Sequence, residues 1–171
     1  MCKPRYQDIE PKDIPVVTIQ NENKKKTVRK VNKFFKSVGV MEGAGVLVKR
    51  SIGTNKLRNL DPFLMLDEVK QEDTKMYIEG FPRHPHRGFE TVTYMLAGSF
   101  QHKDHMGNIG HLKAGSCQWM TAGAGVIHSE MPLQKDGLVW GFQMWINLPK
   151  SKKMCKPRYQ DIEPKDIPVV T

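Results

Sequence analysis

The sequence lacks the segments that would direct a protein out of the cell or into a membrane. Its first residues do not show the basic and then apolar pattern of a secretory signal, and no apolar run approaches the roughly 20 residues that span a bilayer. Cysteine is scarce: Cys2, Cys117 and Cys155 form neither a metal-binding pair nor an even disulfide framework. We therefore expect a soluble intracellular protein without membrane contact, whose thiols stay reduced.

The sequence also lacks the motifs of nucleic-acid-binding domains, although it is basic. The formal net charge is +9, and much of it lies in residues 24–36. The basic residues of this segment are Lys24, Lys25, Lys26, Arg29, Lys30, Lys33 and Lys36. No helix-turn-helix, zinc finger or aromatic RNA-binding strand accompanies them, so direct binding of nucleic acid is not expected. The segment is interpreted as a solvated linker, with nuclear import or contact with an acidic protein as the alternative.

One repeat is present, and it is exact: residues 1–18 recur without a change at residues 154–171. Solenoid repeats drift in sequence and have periods of about 20–50 residues, so this copy does not indicate a solenoid. Its prolines disfavour a helix. Residues 1–36 are therefore predicted to be an extended arm with a basic linker, and residues 154–171 an extended linking strand without chemistry. Because identical edge strands can pair with either neighbour, a domain-swapped homodimer is left open.

Residues 37–153 are predicted to form one all-β domain. Short apolar segments alternate with glycine-containing turns at spacings of roughly 8–12 residues, as in sandwiches and barrels. Residues 138–148 alternate with period two, and the β-branched and aromatic run at residues 91–96 has the composition of a strand. No segment has the pattern of a long helix.

Two short stretches carry paired metal-binding side chains. His84 and His86 are two residues apart, so on a strand both imidazoles project from one face, about 6.6 Å apart along the backbone. His128 and Glu130 have the same spacing. Three neutral imidazoles and a carboxylate suit a divalent ion such as iron, manganese, nickel or zinc. Four protein ligands around an octahedral iron would leave two positions for dioxygen and a chelating substrate.

Glu90 is a rival for the carboxylate ligand. It follows His86 by four positions and therefore shares its face on a strand. A straight strand would carry Glu90 about 13 Å beyond His86, although Gly88 could bend the chain back. Glu130 is therefore ranked first.

The remaining aromatic side chains have simpler interpretations. The other histidines share a loop-like stretch and are expected to be exposed: His102, His105 and His111. The tryptophans are interpreted as core residues, with lining a pocket as the alternative: Trp119, Trp140 and Trp145.

The stretches around the paired ligands resemble those of the pirin family. The resemblance lies in HPHRGFETV at residues 84–92, QWMTAG at 118–123 and HSEMP at 128–132, and it extends to NLDPF at 59–63 and WINLP at 145–149. It implies a cupin jelly roll, a double-stranded β-helix barrel whose two antiparallel sheets surround an interior site. It also implies one metal per cupin, Fe(II) or another divalent transition metal. The resemblance assigns this metal to His84, His86, His128 and Glu130.

Two functions follow from the resemblance. Pirins are described as nuclear and cytoplasmic iron proteins that act as transcriptional co-regulators, which would give this chain a transcription-factor partner; this function is our first expectation. The alternative is a quercetin 2,3-dioxygenase, which cleaves flavonols with dioxygen. A flavonol-like small molecule would then chelate the metal, and Glu130 would be the catalytic residue that relays its hydroxyl proton.

The sequence departs from the family pattern in length and in three side chains near the motifs. Pirins resemble two cupins in series, whereas this chain matches only the first. Arg83 stands where an acidic residue is usual, Ala124 where an arginine is usual, and Ser116 where an aspartate is usual. These changes alter the charge around the site without removing a ligand, so they bear on substrate recognition more than on metal binding.

Overall fold

The computed structural model describes residues 30–167, and predictions that fall on residues 1–29 and 168–171 lie outside this range. These include most of the extended arm, Cys2 and the first part of the basic segment. The chain divides into two compact units, Met1–Lys36 and Ser37–Thr171. The described part of the first unit, residues 30–36, contains no strand or helix.

The described part of the second unit consists of antiparallel strands. In chain order they are β1 (Val38–Glu42), β2 (Val46–Ile52), β3 (Phe63–Gln71), β4 (Phe81–His86), β5 (Phe89–Ala97), β6 (Ser99–Asp104), β7 (Ile109–Lys113), β8 (Cys117–Thr121), β9 (Val126–Pro132), β10 (Val139–Asn147) and β11 (Arg158–Ile162). A large sheet has the order β1-β2-β3-β10-β5-β8-β11, and a small sheet has the order β4-β9-β6-β7. The predicted all-β fold with two antiparallel sheets is thus confirmed.

The strongest period-two pattern of the sequence lies at the centre of the large sheet. It forms β10, which pairs with β3 on one side and with β5 on the other. The run at residues 91–96 lies within β5. The other regular elements between residues 30 and 167 are 3₁₀ turns at Thr74–Met76, Lys150–Lys152 and Pro164–Asp166. Within the same residues, no helix is long and apolar enough to cross a membrane.

Apolar side chains from both sheets form two buried clusters. The larger cluster consists of Val46, Val48, Tyr77, Met95, Phe100, Leu112 and Val139. The smaller cluster consists of Met120, Ala122 and Val126, with Tyr159 of β11 packed against it. Burying a side chain of this kind stabilises a fold by roughly 1.5–3 kcal/mol. Because alternate residues of β9 are buried, Val126 joins the small cluster and His128 and Glu130 also face inward.

The chain crosses from the small sheet to the large sheet between β4 and β5. Gly88 forms this crossing with a φ of +77°, a left-handed conformation in which a larger side chain would be strained. Its amide donates a hydrogen bond of 2.8 Å to the carbonyl oxygen of Gly123. His86 and Glu90 therefore belong to different sheets.

The copied segment at the end of the chain docks on the edge of the large sheet. β11 pairs with β8 from Arg158 to Ile162. Ahead of β11, the amide of Ala124 donates to the carbonyl oxygen of Cys155 at 2.9 Å. Gly123 lies so close to this segment that a Cβ atom there would be 2.1 Å from the Cys155 oxygen. The close approach requires glycine at this position.

Candidate metal centre

Three histidines of the neighbouring strands β4 and β9 lie close together. His84 and His86 lie on β4 and His128 lies on β9, with His84 directly opposite His128 in the strand register. The Nε2 atom of His84 is 3.0 Å from that of His86 and 2.9 Å from that of His128. The potential ligand atoms of all three lie within 4.8 Å of one another.

This arrangement of nitrogen atoms fits a divalent transition metal. Two ligands at right angles on a metal with bonds of about 2.1 Å lie about 3.0 Å apart. The two Nε2 separations from His84, 3.0 and 2.9 Å, agree with that value. The Nδ1 atom of His84 lies 2.7 Å from the carbonyl oxygen of Pro82 and must donate a proton to it, so the lone pair of its Nε2 faces the other histidines. A divalent cation placed between these nitrogen atoms could accept this lone pair.

Burial keeps two of these imidazoles neutral. It lowers the pKa of His86 to about 3, with the neighbouring His128 and His84 adding to the effect. Burial likewise lowers the pKa of His128 to about 3, again with neighbouring imidazoles contributing. Neutral imidazoles are the form that binds metal, so protons do not compete for these two nitrogen atoms near neutral pH.

Glu130, the predicted fourth ligand, lies in the same cavity and is held by β10. Gln143 donates from its Nε2 to both carboxylate oxygens of Glu130, at 3.0 Å each. The indole nitrogen of Trp145 donates to the Oε1 atom of Gln143 at 3.2 Å, which fixes the orientation of the amide. The cluster of mutually close ligand atoms found among the described residues contains the three histidines and not Glu130. Its role as a ligand stays a prediction.

Glu90, the rival carboxylate, faces elsewhere. It accepts a hydrogen bond of 2.6 Å from the hydroxyl group of Thr121 on β8. Phe89 and Thr93 of the same strand line the cavity, whereas Glu90 does not. The crossing at Gly88 accounts for this position, because β5 begins in the other sheet.

A cavity of about 650 Å³ is lined by His84 and His86, while His128 is buried beside them. Its wall is mostly apolar and comes largely from the large sheet. Apolar side chains of the wall include Val48, Met65, Phe89, Met95, Phe100 and Trp145. Cavities of about 300–1,000 Å³ with few polar groups are typical of small-molecule sites. For Trp145, the expectation is a core residue with pocket lining as the alternative, and the structure places it in the cavity wall.

The polar part of the wall contains an arginine that is already paired. Arg50 donates to the two carboxylate oxygens of Asp67 at 2.8 and 2.7 Å and to Glu42 at 2.6 Å. The hydrogen bond to Asp67 is the main cause of a raised pKa for Arg50. Because two carboxylates neutralise this guanidinium, its contribution to binding an anionic ligand is small.

Sequence reasoning missed three residues near the candidate ligands, of which two contact a ligand and one contacts it through another residue. The expectation that His102 is exposed is wrong: it is 1% exposed and its Nδ1 atom lies 3.2 Å from that of His128. The buried alternation of Phe100, His102 and Asp104 is the signal that would have identified it. Tyr159 contacts His102 from the segment predicted to have no chemistry. The third residue is Gln143, which holds Glu130. His105 and His111 are exposed, as expected.

Comparison with known proteins places this site in a family. The sequence model of the Pirin family matches residues 45–146, which include every candidate ligand. The chain belongs to the pirin family. Its resemblance to pirins is thereby confirmed, and with it the cupin fold.

The pirin relatives include curated and structurally characterised proteins. A pirin-like protein of Solanum lycopersicum is 55% identical, over 74% of this chain and 42% of that protein. A crystal structure of quercetin 2,3-dioxygenase from Acinetobacter baumannii is 40% identical with a TM-score of 0.68, over 78% of this chain and 49% of that one. The nickel(II) complex of the Escherichia coli pirin YhhW is 25% identical with a TM-score of 0.63, over 73% and 53%. The chain spans about half the length of the curated relatives it matches.

Proposed function

We propose that this pirin-family domain holds one divalent transition metal, with iron as the first candidate. His84, His86 and His128 would bind it through their Nε2 atoms, and Glu130 would supply the fourth ligand. The convergence of three histidines supports this assignment, because the Nε2 atom of His84 lies 3.0 and 2.9 Å from those of His86 and His128 and all three ligand atoms lie within 4.8 Å of one another. Imidazole and carboxylate ligands suit iron and nickel alike, and the related Escherichia coli pirin was crystallised with nickel(II).

The activity that we propose is the oxidative cleavage of flavonols of the quercetin 2,3-dioxygenase type. The observation that carries it is the mostly apolar cavity of about 650 Å³ that His84 and His86 line. An aromatic, uncharged substrate suits such a wall, since burial of apolar surface favours binding. The structural relative from Acinetobacter baumannii, named as a quercetin 2,3-dioxygenase, supports the same class of reaction.

Each side chain of the site would have a distinct role in this reaction. When bound by His84, His86, His128 and Glu130, the metal would supply the redox chemistry of the reaction. Glu130 would accept the proton of the chelating flavonol hydroxyl, while Gln143 holds its carboxylate in place. Phe89 and Trp145, whose rings pack against each other at 4.7 Å, would orient the flat substrate and exclude water.

Oxygen uptake tests the proposal. Iron-loaded protein with quercetin should consume dioxygen and bleach the flavonol absorbance, at a rate above that of free iron at the same concentration. His86→Ala should lose this activity together with the metal, because it removes one of the three candidate nitrogen ligands. A wild-type protein that holds iron and turns over no faster than free iron would eliminate the dioxygenase function.

The second candidate is an iron-dependent transcriptional co-regulator, located in the nucleus and the cytoplasm. The feature that favours it is the basic segment at residues 24–36, of which the described lysines Lys30, Lys33 and Lys36 are exposed. In this function, the iron oxidation state would bias contact with a transcription factor. If deleting residues 24–36 and switching the iron oxidation state both leave partner affinity unchanged, this function is rejected.

A further inference from the structure

A chain of hydrogen-bonding groups runs from His128 to the edge strand of the large sheet. The Nδ1 atom of His128 is 3.2 Å from the Nδ1 atom of His102, whose Nε2 atom is 3.1 Å from the hydroxyl oxygen of Tyr159. This hydroxyl donates to the Oδ2 atom of Asp104 at 2.8 Å. His102 and His128 are each 1% exposed, and Asp104 is 7% exposed. Water therefore has little access to these contacts.

Asp104 is the last group in this series of hydrogen bonds, and it is an ionised acceptor. The amides of Met106 and Asn108 donate to its Oδ1 atom at 2.8 and 2.9 Å, and the side-chain amide of Asn108 donates to Oδ2 at 2.7 Å. Burial on its own would raise the pKa of Asp104, but the hydrogen bonds from Asn108 and Tyr159 outweigh it and lower the pKa. The carboxylate thus accepts the hydroxyl proton of Tyr159 and has none to give back.

The acceptor role of Asp104 fixes the direction of the other hydrogen bonds between Asp104 and His128. The hydroxyl group of Tyr159 has one proton, and it donates this proton in its hydrogen bond to Asp104. The hydroxyl oxygen can therefore only accept a hydrogen bond from the Nε2–H of His102. A neutral His102 protonated at Nε2 presents a bare Nδ1 atom, which must accept from the Nδ1–H of His128. His128 protonated at Nδ1 then presents its Nε2 lone pair to His84, 2.9 Å away.

We propose that Asp104, Tyr159 and His102 are positioning residues that hold His128 in the tautomer required of a metal ligand, so that docking of β11 completes the metal centre. The importance of this tautomer rests on the proposed metal-binding function. His84 has its own local acceptor, the carbonyl oxygen of Pro82 on the same strand. His128 instead depends on Tyr159, which is 31 positions further along the chain and lies in the segment identical to residues 1–18.

Removing the Tyr159 hydroxyl breaks this dependence. His102 could then adopt either tautomer, and His128 could place a proton on Nε2, where it would face the other ligand nitrogens. Groups that hydrogen-bond to metal-binding histidines typically contribute 10- to 100-fold in metal affinity. A loss of about 10-fold is therefore expected for Tyr159→Phe, which keeps the aromatic ring and its packing.

Nitrogen-15 NMR of the metal-free wild-type protein tests the tautomers directly, because protonated and bare imidazole nitrogens have distinct shifts. We expect His128 to be protonated at Nδ1 and His102 at Nε2. A His128 protonated at Nε2, or a mixture of the two tautomers, would overturn the proposal. This measurement needs neither a variant nor a metal, so it decides the proposal even if a variant fails to fold or the protein binds no metal.

Nickel(II) titration of two tyrosine variants tests the consequence for binding. Tyr77→Phe is the matched control, since the Tyr77 hydroxyl also donates within a buried region, to the Gly137 carbonyl oxygen at 2.9 Å, but does not line the cavity. Tyr159→Phe should raise the nickel dissociation constant about 10-fold and mix the tautomers of His128, while Tyr77→Phe leaves both unchanged. Equal affinities for Tyr159→Phe and wild type would refute the positioning role. A wild-type protein that binds no nickel would count against the metal-binding function alone.

Discussion

Replacement of Gly123 by alanine should detach the end of the chain from the large sheet. Gly123 has a φ of +49°, and a Cβ atom there would lie 2.1 Å from the backbone oxygen of Cys155. Real contacts of this kind need more than 3 Å, and the obstructing atom is backbone, which cannot rotate away. The residues around Cys155 must therefore move.

The cost of Gly123→Ala can be divided into separate contributions. A left-handed conformation costs alanine roughly 1–2 kcal/mol relative to glycine. Overpacking against a backbone atom adds roughly 1–3 kcal/mol. Loss of the hydrogen bond from the Ala124 amide to Cys155 adds about 1 kcal/mol. The sum, about 3–6 kcal/mol, is a large part of the roughly 5–15 kcal/mol by which a typical domain is stable.

Gly137→Ala provides the control for backbone strain. Gly137 also has a positive φ, +85°, but nothing lies within 4 Å of its ideal Cβ position. Urea unfolding of both variants should give a loss of about 1–2 kcal/mol for Gly137→Ala and at least twice that for Gly123→Ala. Equal losses would show that the contact with Cys155 does not constrain the fold, and the account of how β11 docks would be wrong.

Three further predictions concern the metal centre. Glu130→Gln should weaken metal binding at least about 10-fold. Glu90→Gln should not weaken it, because the side chain of Glu90 contacts Thr121 outside the cavity. Equal effects of the two variants in a chelator competition would reject Glu130 as the ligand. The metal-free protein should be most stable above pH 6.5 and lose stability as the pH falls towards 3. The reason is that the pKa of His86 and of His128 is about 3 in the folded state. As the pH falls, these histidines therefore bind protons in the unfolded chain before they do so in the folded protein. The slope should approach about 1.4 kcal/mol per pH unit for each histidine, and a flat urea-unfolding profile between pH 6.5 and 4 would contradict it. Metal at 1,000 times its dissociation constant should stabilise the protein by about 4 kcal/mol, and calorimetry should show the melting temperature rise by about 10 °C and fall again with chelator; an unchanged melting temperature would mean that the site holds no metal.

Features of the site that depend on one strand could be predicted from the sequence. The spacing of two residues in His84-Pro85-His86 and in His128-Ser129-Glu130 fixes which side chains share a face, whatever the rest of the chain does. The pattern of β10 is equally local. The structure places all four of these side chains in or beside one cavity.

Features that depend on contacts between distant strands could not be predicted in this way. Gln143 reaches Glu130 because β10 lies across the cavity from β9, and no local pattern gives that distance. The prolines around Tyr159 predict an extended linking strand and give no sign of its partner. The contact of Tyr159 with His102 exists only after β11 has paired with β8.

The two sheets contribute different parts of the site: one carries the candidate metal ligands, and the other forms most of the cavity wall. His84, His86, His128 and Glu130 all come from strands of the small sheet, whereas most of the cavity wall comes from the large one. Exchanges among wall residues such as Met65 or Val48 can therefore change which molecules enter the cavity, while the strands that carry the candidate ligands stay unchanged. Such a scaffold allows the shape of the cavity to change while the candidate metal ligands are kept.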